Sequence, residues 1–108
     1  MGTMAVGDDR DLDAVFRALA DPTRRAILDE LAKRDGQPLF EICVRLAEGR
    51  GMSLSRQAVS KHLTVLENAD LVGVRWEGRT KLHSGKLSAH LPRLIGWLDK
   101  HEREGETG

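Results

Sequence analysis

Ser55-Arg56-Gln57-Ala58-Val59-Ser60-Lys61-His62-Leu63-Thr64-Val65-Leu66-Glu67-Asn68, followed almost at once by Leu71-Val72-Gly73-Val74-Arg75-Trp76-Glu77-Gly78-Arg79-Thr80-Lys81-Leu82-His83-Ser84, decides the fold. In the first stretch Val59, Leu63 and Leu66 recur at helical spacing, with Ala58, Val65 and Ala69 beside them, so this stripe must face a core. Ser53 or Ser55 is placed to cap the helix. Gln57, Ser60, Lys61 and Thr64 fall at i, i+3, i+4 and i+7 and share one exposed face, with Arg56 next to it. The second stretch changes period. Its first half is β-rich, Glu77-Gly78-Arg79 turns the chain, and polar and apolar residues alternate on the return. It reads as a β-hairpin with a three- or four-residue loop and Gly at the turn.

Three helices precede this pair and one follows. Leu12, Val15, Phe16 and Leu19 carry the first at i, i+3, i+4, i+7 spacing. Asp21-Pro22 opens the second, because Asp accepts backbone N–H bonds as an N-cap and Pro is preorganised for the first helical position. Ile27, Leu28 and Leu31 form its apolar face, and it ends near Asp35-Gly36. The third starts at about Pro38, carries Leu39, Ile42, Cys43 and Leu46, and stops at Gly49. After the hairpin, Leu91, Leu94, Ile95 and Leu98 repeat the spacing. The order ααααββα is mainly α with a β-hairpin wing, a winged helix-turn-helix of five helices. A chain of 108 residues fits one domain, expected over 11–103, with polar segments 1–10 and 104–108 disordered. Only four aromatics are present (Phe16, Phe40, Trp76, Trp97), and a core of Leu, Ile, Val and Ala suits packed helices.

The formal net charge is zero, but its distribution is uneven. From Arg50 to Lys86 there are seven basic residues (Arg50, Arg56, Lys61, Arg75, Arg79, Lys81, Lys86) against three acids, leaving +4 there and −4 elsewhere. No acid occurs from Arg56 to Leu66, whereas a routine surface helix mixes both signs. Gln and Arg bond purine edges bidentately, Ser and Thr bond bases or phosphates, and Lys bonds phosphate or guanine. Ser55, Arg56, Gln57, Ser60, Lys61 and Thr64 therefore make a candidate major-groove reader. Arg75, Arg79 and Lys81 make the hairpin a candidate grip on phosphates or the minor groove. Trp76 either packs the hairpin against the body or stacks on the DNA backbone.

The implied partner is double-stranded DNA, with a protein–protein module on the same fold left open. No apolar run is long enough to span a membrane, and the N-terminus lacks the apolar region of a signal peptide, so a cytoplasmic location is expected. One cysteine permits no intrachain disulfide. There is no Gly-rich phosphate loop, nucleophile elbow or paired-carboxylate motif, so neither enzymatic activity nor a cofactor is expected.

Two segments carry a family resemblance. Leu19-Ala20-Asp21-Pro22-Thr23-Arg24-Arg25-Ala26-Ile27-Leu28 resembles the opening motif of the ArsR/SmtB-type winged-helix regulators, and residues 55–66 resemble that family's recognition helix. Leu71-Val72 followed by Glu77-Gly78-Arg79 is similar to its wing, and the likeness runs from about Leu12 to Leu98. It implies a homodimeric repressor on an inverted-repeat operator. The first and last helices, 12–20 and 91–101, would form the dimer interface, with Leu12, Val15, Phe16, Leu91, Leu94, Ile95, Trp97 and Leu98 as contacts. A two-fold dimer sets its recognition helices about one DNA turn apart.

The resemblance also raises metal sensing. The thiolate site on the family's third helix would fall in Glu41-Ile42-Cys43-Val44-Arg45-Leu46, where Arg45 stands at the second thiolate position. One cysteine and an arginine cannot make a multi-thiolate site. Cys43 lies on the apolar stripe and reads as a buried structural residue. At the family's last-helix site His90, His101 and Glu104 have the right spacing, but Ser88 occupies the Asp position. Serine is a poor substitute for a zinc-binding carboxylate, and Pro92 would put His90 at the start of the helix. The expectation is a member without metal sites, in which His90 and His101 are exposed near helix ends. A zinc-responsive repressor using His90, His101 and Glu104 is the alternative. No effector is read from the residues.

Overall fold

The computed structural model describes the backbone of residues 2–107 and the side chains of residues 11–102. Among the described residues there are five helices: α1 (Gly2–Leu19), α2 (Pro22–Lys33), α3 (Leu39–Arg50), α4 (Arg56–Asn68) and α5 (Leu91–Thr107). An antiparallel hairpin, β1 (Val72–Glu77) and β2 (Thr80–Gly85), separates α4 from α5, and a short 3₁₀ turn (Leu87–His90) leads into α5. This is the winged helix-turn-helix order read from the sequence. The segments expected to be disordered, 1–10 and 104–108, fall outside the residues whose side chains are described.

The α1–α2 corner shows why Asp21-Pro22-Thr23-Arg24-Arg25 folds as it does. Asp21 Oδ1 accepts the N–H groups of Thr23 and Arg24 at 2.8 and 3.1 Å, capping α2. The two arginines reach backwards. Arg24 donates to Ala18 O at 2.7 Å and Arg17 O at 3.2 Å, and Arg25 donates to Leu19 O at 2.7 Å. One five-residue motif thus satisfies orphan donors of α2 and orphan carbonyls of α1. Burial raises the Asp21 pKa, but the backbone donors outweigh it and hold the carboxyl below its ordinary value.

Ile27, Ile42, Leu46, Val59, Leu66 and Leu71 form the centre of the core, so α2, α3, α4 and the start of the hairpin meet there. Val15 and Ala18 of α1 and Leu94 of α5 complete it. Cys43 is partly buried against this core, and burial pushes its thiol pKa up, with the Arg56 charge opposing. A thiol so held is a weak nucleophile. Between α2 and α3 the buried Glu30 carboxylate accepts from Arg50 Nε at 2.9 Å and Lys33 Nζ at 3.3 Å, with Arg45 at 3.5 Å. Burial raises the Glu30 pKa, yet the bonds from Arg50 and Lys33 leave it below the ordinary value.

The hairpin is fastened by contacts distant in sequence. Gln37 and His83 exchange backbone hydrogen bonds of 2.9 and 2.8 Å, a single bridge that joins the α2–α3 loop to β2. Gln37 Nε2 also donates to Glu30 O and Arg34 O at the end of α2, at 2.9 and 2.7 Å. The hairpin loop is shorter than the three or four residues expected. Glu77 pairs with Thr80, leaving only Gly78 and Arg79 between them, and Gly78 has φ +61°. Glycine at the first central position of a two-residue turn suits the II′ geometry, whose twist matches that of the strands.

Candidate nucleic-acid interface

The turn from α3 into α4 is set by its backbone. Gly51 adopts φ +65° and its N–H reaches Ala47 O at 3.1 Å, while Met52 N–H reaches Leu46 O at 2.9 Å. Four residues after Gly51, Ser55 Oγ accepts the Ala58 N–H at 3.1 Å, so this serine acts as the N-cap that starts α4. The helix buries Val59, Leu63 and Leu66 and leaves Arg56, Gln57, Ser60, Lys61 and Thr64 exposed on one side. Thr64 Oγ1 donates back to Ser60 O at 3.1 Å. The Arg56 guanidinium lies 5.9 Å from the centroid of the exposed Phe40 ring, a cation–π contact that orients it beside the helix start.

Register divides the wing into two faces, because directly paired residues of an antiparallel hairpin point the same way. Trp76 pairs with Lys81 and Val74 with His83 on one face; Arg75 pairs with Leu82 on the other. Lys81 Nζ approaches Glu67 Oε1 of α4 at 3.8 Å. Ser60, Leu63, Thr64 and Glu67 of α4 and Arg79, Thr80, Lys81 and His83 of the wing line a common cavity of about 370 Å³. Arg75 lies apart from them. It faces Asp35 at 3.9 Å and Glu77 at 3.5 Å, and its guanidinium packs against Gly36, whose φ of +71° and missing Cβ make the room. The three wing cations therefore do not form one cluster at the tip. Trp76 is 63% exposed, so of its two readings the structure does not show the one that packs the wing against the body.

The seven cations of the basic stretch are sorted by their partners. Arg50 is engaged by Glu30 at 2.9 Å and Asp29 at 3.6 Å, Lys86 by Asp70 at 2.6 Å, and Arg75 as above. Among the described residues Arg56, Lys61 and Arg79 form no ion pair, and Lys81 forms only the long one to Glu67. Arg56 and Lys61 lie on α4 with Gln57, Ser60 and Thr64, and Arg79 and Lys81 lie at the turn and return strand of the wing.

A second exposed surface is apolar. Phe16 of α1 meets Trp97 of α5 edge-on with centroids 5.4 Å apart, and Leu91, Ile95 and Leu98 are exposed on the same helix as Trp97. Val15 and Leu94, expected in the dimer interface, are only 1% and 7% exposed within the single chain, and Leu12 packs partly against the same core. They support this surface from beneath, because α1 and α5 must also be held to the body.

Of the residues at the family's zinc positions, His90 is engaged within the chain. His90 is buried, not exposed. Its Nε2 lies 2.7 Å from Asp70 O and 3.3 Å from Asp70 Oδ2, and its Nδ1 lies 2.9 Å from Arg93 Nη2. Both ring nitrogens are thus taken up by partners within the chain. His101 is exposed as expected and packs on Trp97 at 4.4 Å; the side chain of Glu104 lies outside the described residues. Arg45 is paired with Glu41 at 3.0 Å. Sequence reasoning missed Phe40, Glu67, His83 and Asp35 as neighbours of the site. For Phe40 a signal existed, since a large aromatic outside the stripe Leu39, Ile42, Leu46 must be exposed.

Residues 19–75, from the end of α1 into β1, match the helix-turn-helix domain family. The chain is 41% identical over 87 residues to the helix-turn-helix-type transcriptional regulator YuzN of Bacillus subtilis, covering 81% of this chain and 95% of that one. An ArsR-like transcriptional regulator from Rhodococcus sp. RHA1 superposes with a TM-score of 0.77 at 33% identity, covering 94% of this chain and 85% of that one. The homodimeric winged helix-turn-helix DNA-binding domain Mb0332 from Mycobacterium bovis superposes with a TM-score of 0.65 at 25% identity, covering 95% and 89%.

Proposed function

The chain belongs to the ArsR/SmtB-type winged helix-turn-helix transcriptional regulators, and on that premise we propose that it is a cytoplasmic repressor whose homodimer binds an inverted-repeat operator in double-stranded DNA. One observation carries the reading. The cations of the basic stretch that lack a close carboxylate partner are the four beside the acid-free face of α4. Gln57 is placed to bond a purine edge in the major groove, with Arg56, Ser60, Lys61 and Thr64 on neighbouring bases or phosphates and Ser55 fixing the helix start. Arg79 and Lys81 hold phosphates from the wing, and Trp76 stacks against the backbone. Phe16, Leu91, Ile95, Trp97 and Leu98 supply the apolar surface through which two copies pair, in keeping with the homodimeric state of Mb0332. No enzymatic step belongs to this reading.

The test is binding to duplexes from the gene's own upstream region, with stoichiometry measured. Two chains per inverted repeat are expected. Gln57→Ala should lose about 1–3 kcal/mol of discrimination at one base pair per half-site. Arg79→Gln should weaken all sequences alike. One chain per duplex, or an unchanged base preference in Gln57→Ala, would overturn this account.

A further inference from the structure

We propose that the cavity between α4 and the wing is a binding site for a small amphipathic monocarboxylate, and that its occupant competes with DNA. The inference rests on the DNA-binding reading above and adds to it what regulates the site. The cavity holds about 370 Å³, near the lower end of the range for small-molecule pockets. Its walls are of two kinds. Leu39, Phe40 and Leu63 give an apolar side for a short hydrocarbon or aromatic body. Arg79, Lys81 and the hydroxyls of Thr64 and Thr80 give a polar side.

The charge fits a monoanion. Arg79 and Lys81 contribute two positive charges and Glu67 one negative, so the three permanently charged groups of the lining sum to +1. A phosphate monoester, about −1.5 to −2 at neutral pH, would face Glu67 uncompensated. Arg79 is free to grip a carboxylate bidentately. The least expected wall residue is His83, only 4% exposed. Its Nδ1 lies 2.9 Å from Gln37 O, so that nitrogen carries the proton and donates. The ring lines the cavity beside Thr80 and Lys81 and adds a polar residue to its wall.

The coupling follows from shared residues. Ser60 and Thr64 belong to the DNA-reading face, and Arg79 and Lys81 to the wing. A carboxylate on Arg79 removes a phosphate contact, and a body wedged beside Lys81 strains its approach to Glu67. Occupancy and DNA binding therefore oppose each other, and the opposition is reciprocal.

The test uses benzoate, hexanoate and indole-3-acetate as probes, with benzamide as the uncharged control, at constant ionic strength. The free protein is followed by amide NMR, and release of the promoter duplex is followed by anisotropy. Saturable shifts are expected at Phe40, Thr64, Thr80 and His83 with at least one carboxylate at about millimolar Kd, and none with benzamide. Glu67→Gln should tighten that carboxylate roughly two- to fivefold, and Arg79→Gln should weaken it by a similar factor. The same carboxylate should weaken DNA binding of the wild type. If none of the three shifts these residues while DNA binding is intact, the site is wrong and the DNA reading stands. If shifts appear and the protein binds no DNA, the DNA reading is wrong and the pocket stands. Shifts without any change in DNA affinity overturn the competition.

Discussion

Two regions of this chain are equally rich in arginine and lysine and do opposite things with them. Between α2 and α3, Lys33, Arg34, Arg45 and Arg50 close on Glu30 and Glu41 at 2.9–3.5 Å. On α4 and the wing, Arg56, Lys61 and Arg79 face no carboxylate among the described residues. The first cluster holds two helices together; the second is left for a partner. The difference teaches that a local surplus of positive charge says little until each cation's partner is known. Arg50 and Lys86 bounded the basic stretch in sequence and turn out to belong, in effect, to the first kind of region.

The comparison is broken most forcefully at Glu30. Glu30→Ala removes the buried carboxylate that Arg50, Arg45 and Lys33 share, although Glu41 and Asp29 remain to receive the arginines. Unfolding by urea should show a loss of about 2–3 kcal/mol, a little below the range for breaking a fully buried pair. Asp21→Ala, which uncaps α2, should cost about 1 kcal/mol in the same assay. A loss at Asp21 larger than that at Glu30 would mean the α1–α2 corner, not the ion cluster, holds the body together.

Acid should act on the structural region first. Burial raises Glu30 and Asp21 but hydrogen bonds leave both below their ordinary values; the Lys86 bond lowers Asp70 despite some burial. A carboxyl whose folded pKa is depressed contributes stability above its unfolded pKa and loses it as pH falls through the folded one. These three carboxylates should therefore make the melting temperature decline as pH falls below about 4.5, near the unfolded carboxylate values. Glu30→Gln should flatten part of that decline. The smallest effect is expected at Arg75, which faces Asp35 and Glu77 on the far side of the wing. Arg75→Gln should change DNA affinity by less than about threefold, within the small range usual for an exposed pair.

What could be read from the sequence was local. A serine cap on α4, read as Ser53 or Ser55 and found at Ser55, the buried stripe of Val59, Leu63 and Leu66, and the exposed row Gln57, Ser60, Lys61, Thr64 depend only on residues within a turn or two of one another. The Asp21-Pro22 start of α2 was legible for the same reason. The errors came from contacts between residues far apart. Nothing near Arg75 announces Asp35, forty residues earlier, and nothing near His83 announces Gln37. His90 read as exposed because its partner is Asp70, twenty residues earlier on the other side of the hairpin. The hairpin loop came out short because Glu77, read as a turn residue, pairs with Thr80 as strand.

The central claim is that the three unpartnered cations and the loosely held Lys81, and not the basic stretch as a whole, meet DNA phosphates. The most direct test is the salt dependence of operator binding for the wild type, Lys61→Gln, Arg79→Gln and Arg50→Gln. Four cations per chain in a two-fold dimer give roughly eight phosphate contacts, so wild-type affinity should fall about 10⁴-fold between 50 and 200 mM salt. Lys61→Gln and Arg79→Gln should each reduce the slope of log affinity against log salt by about 1.8, two contacts per dimer, while Arg50→Gln leaves it unchanged. A slope that drops for Arg50→Gln as much as for Lys61→Gln, or a wild-type affinity indifferent to salt, would contradict the account.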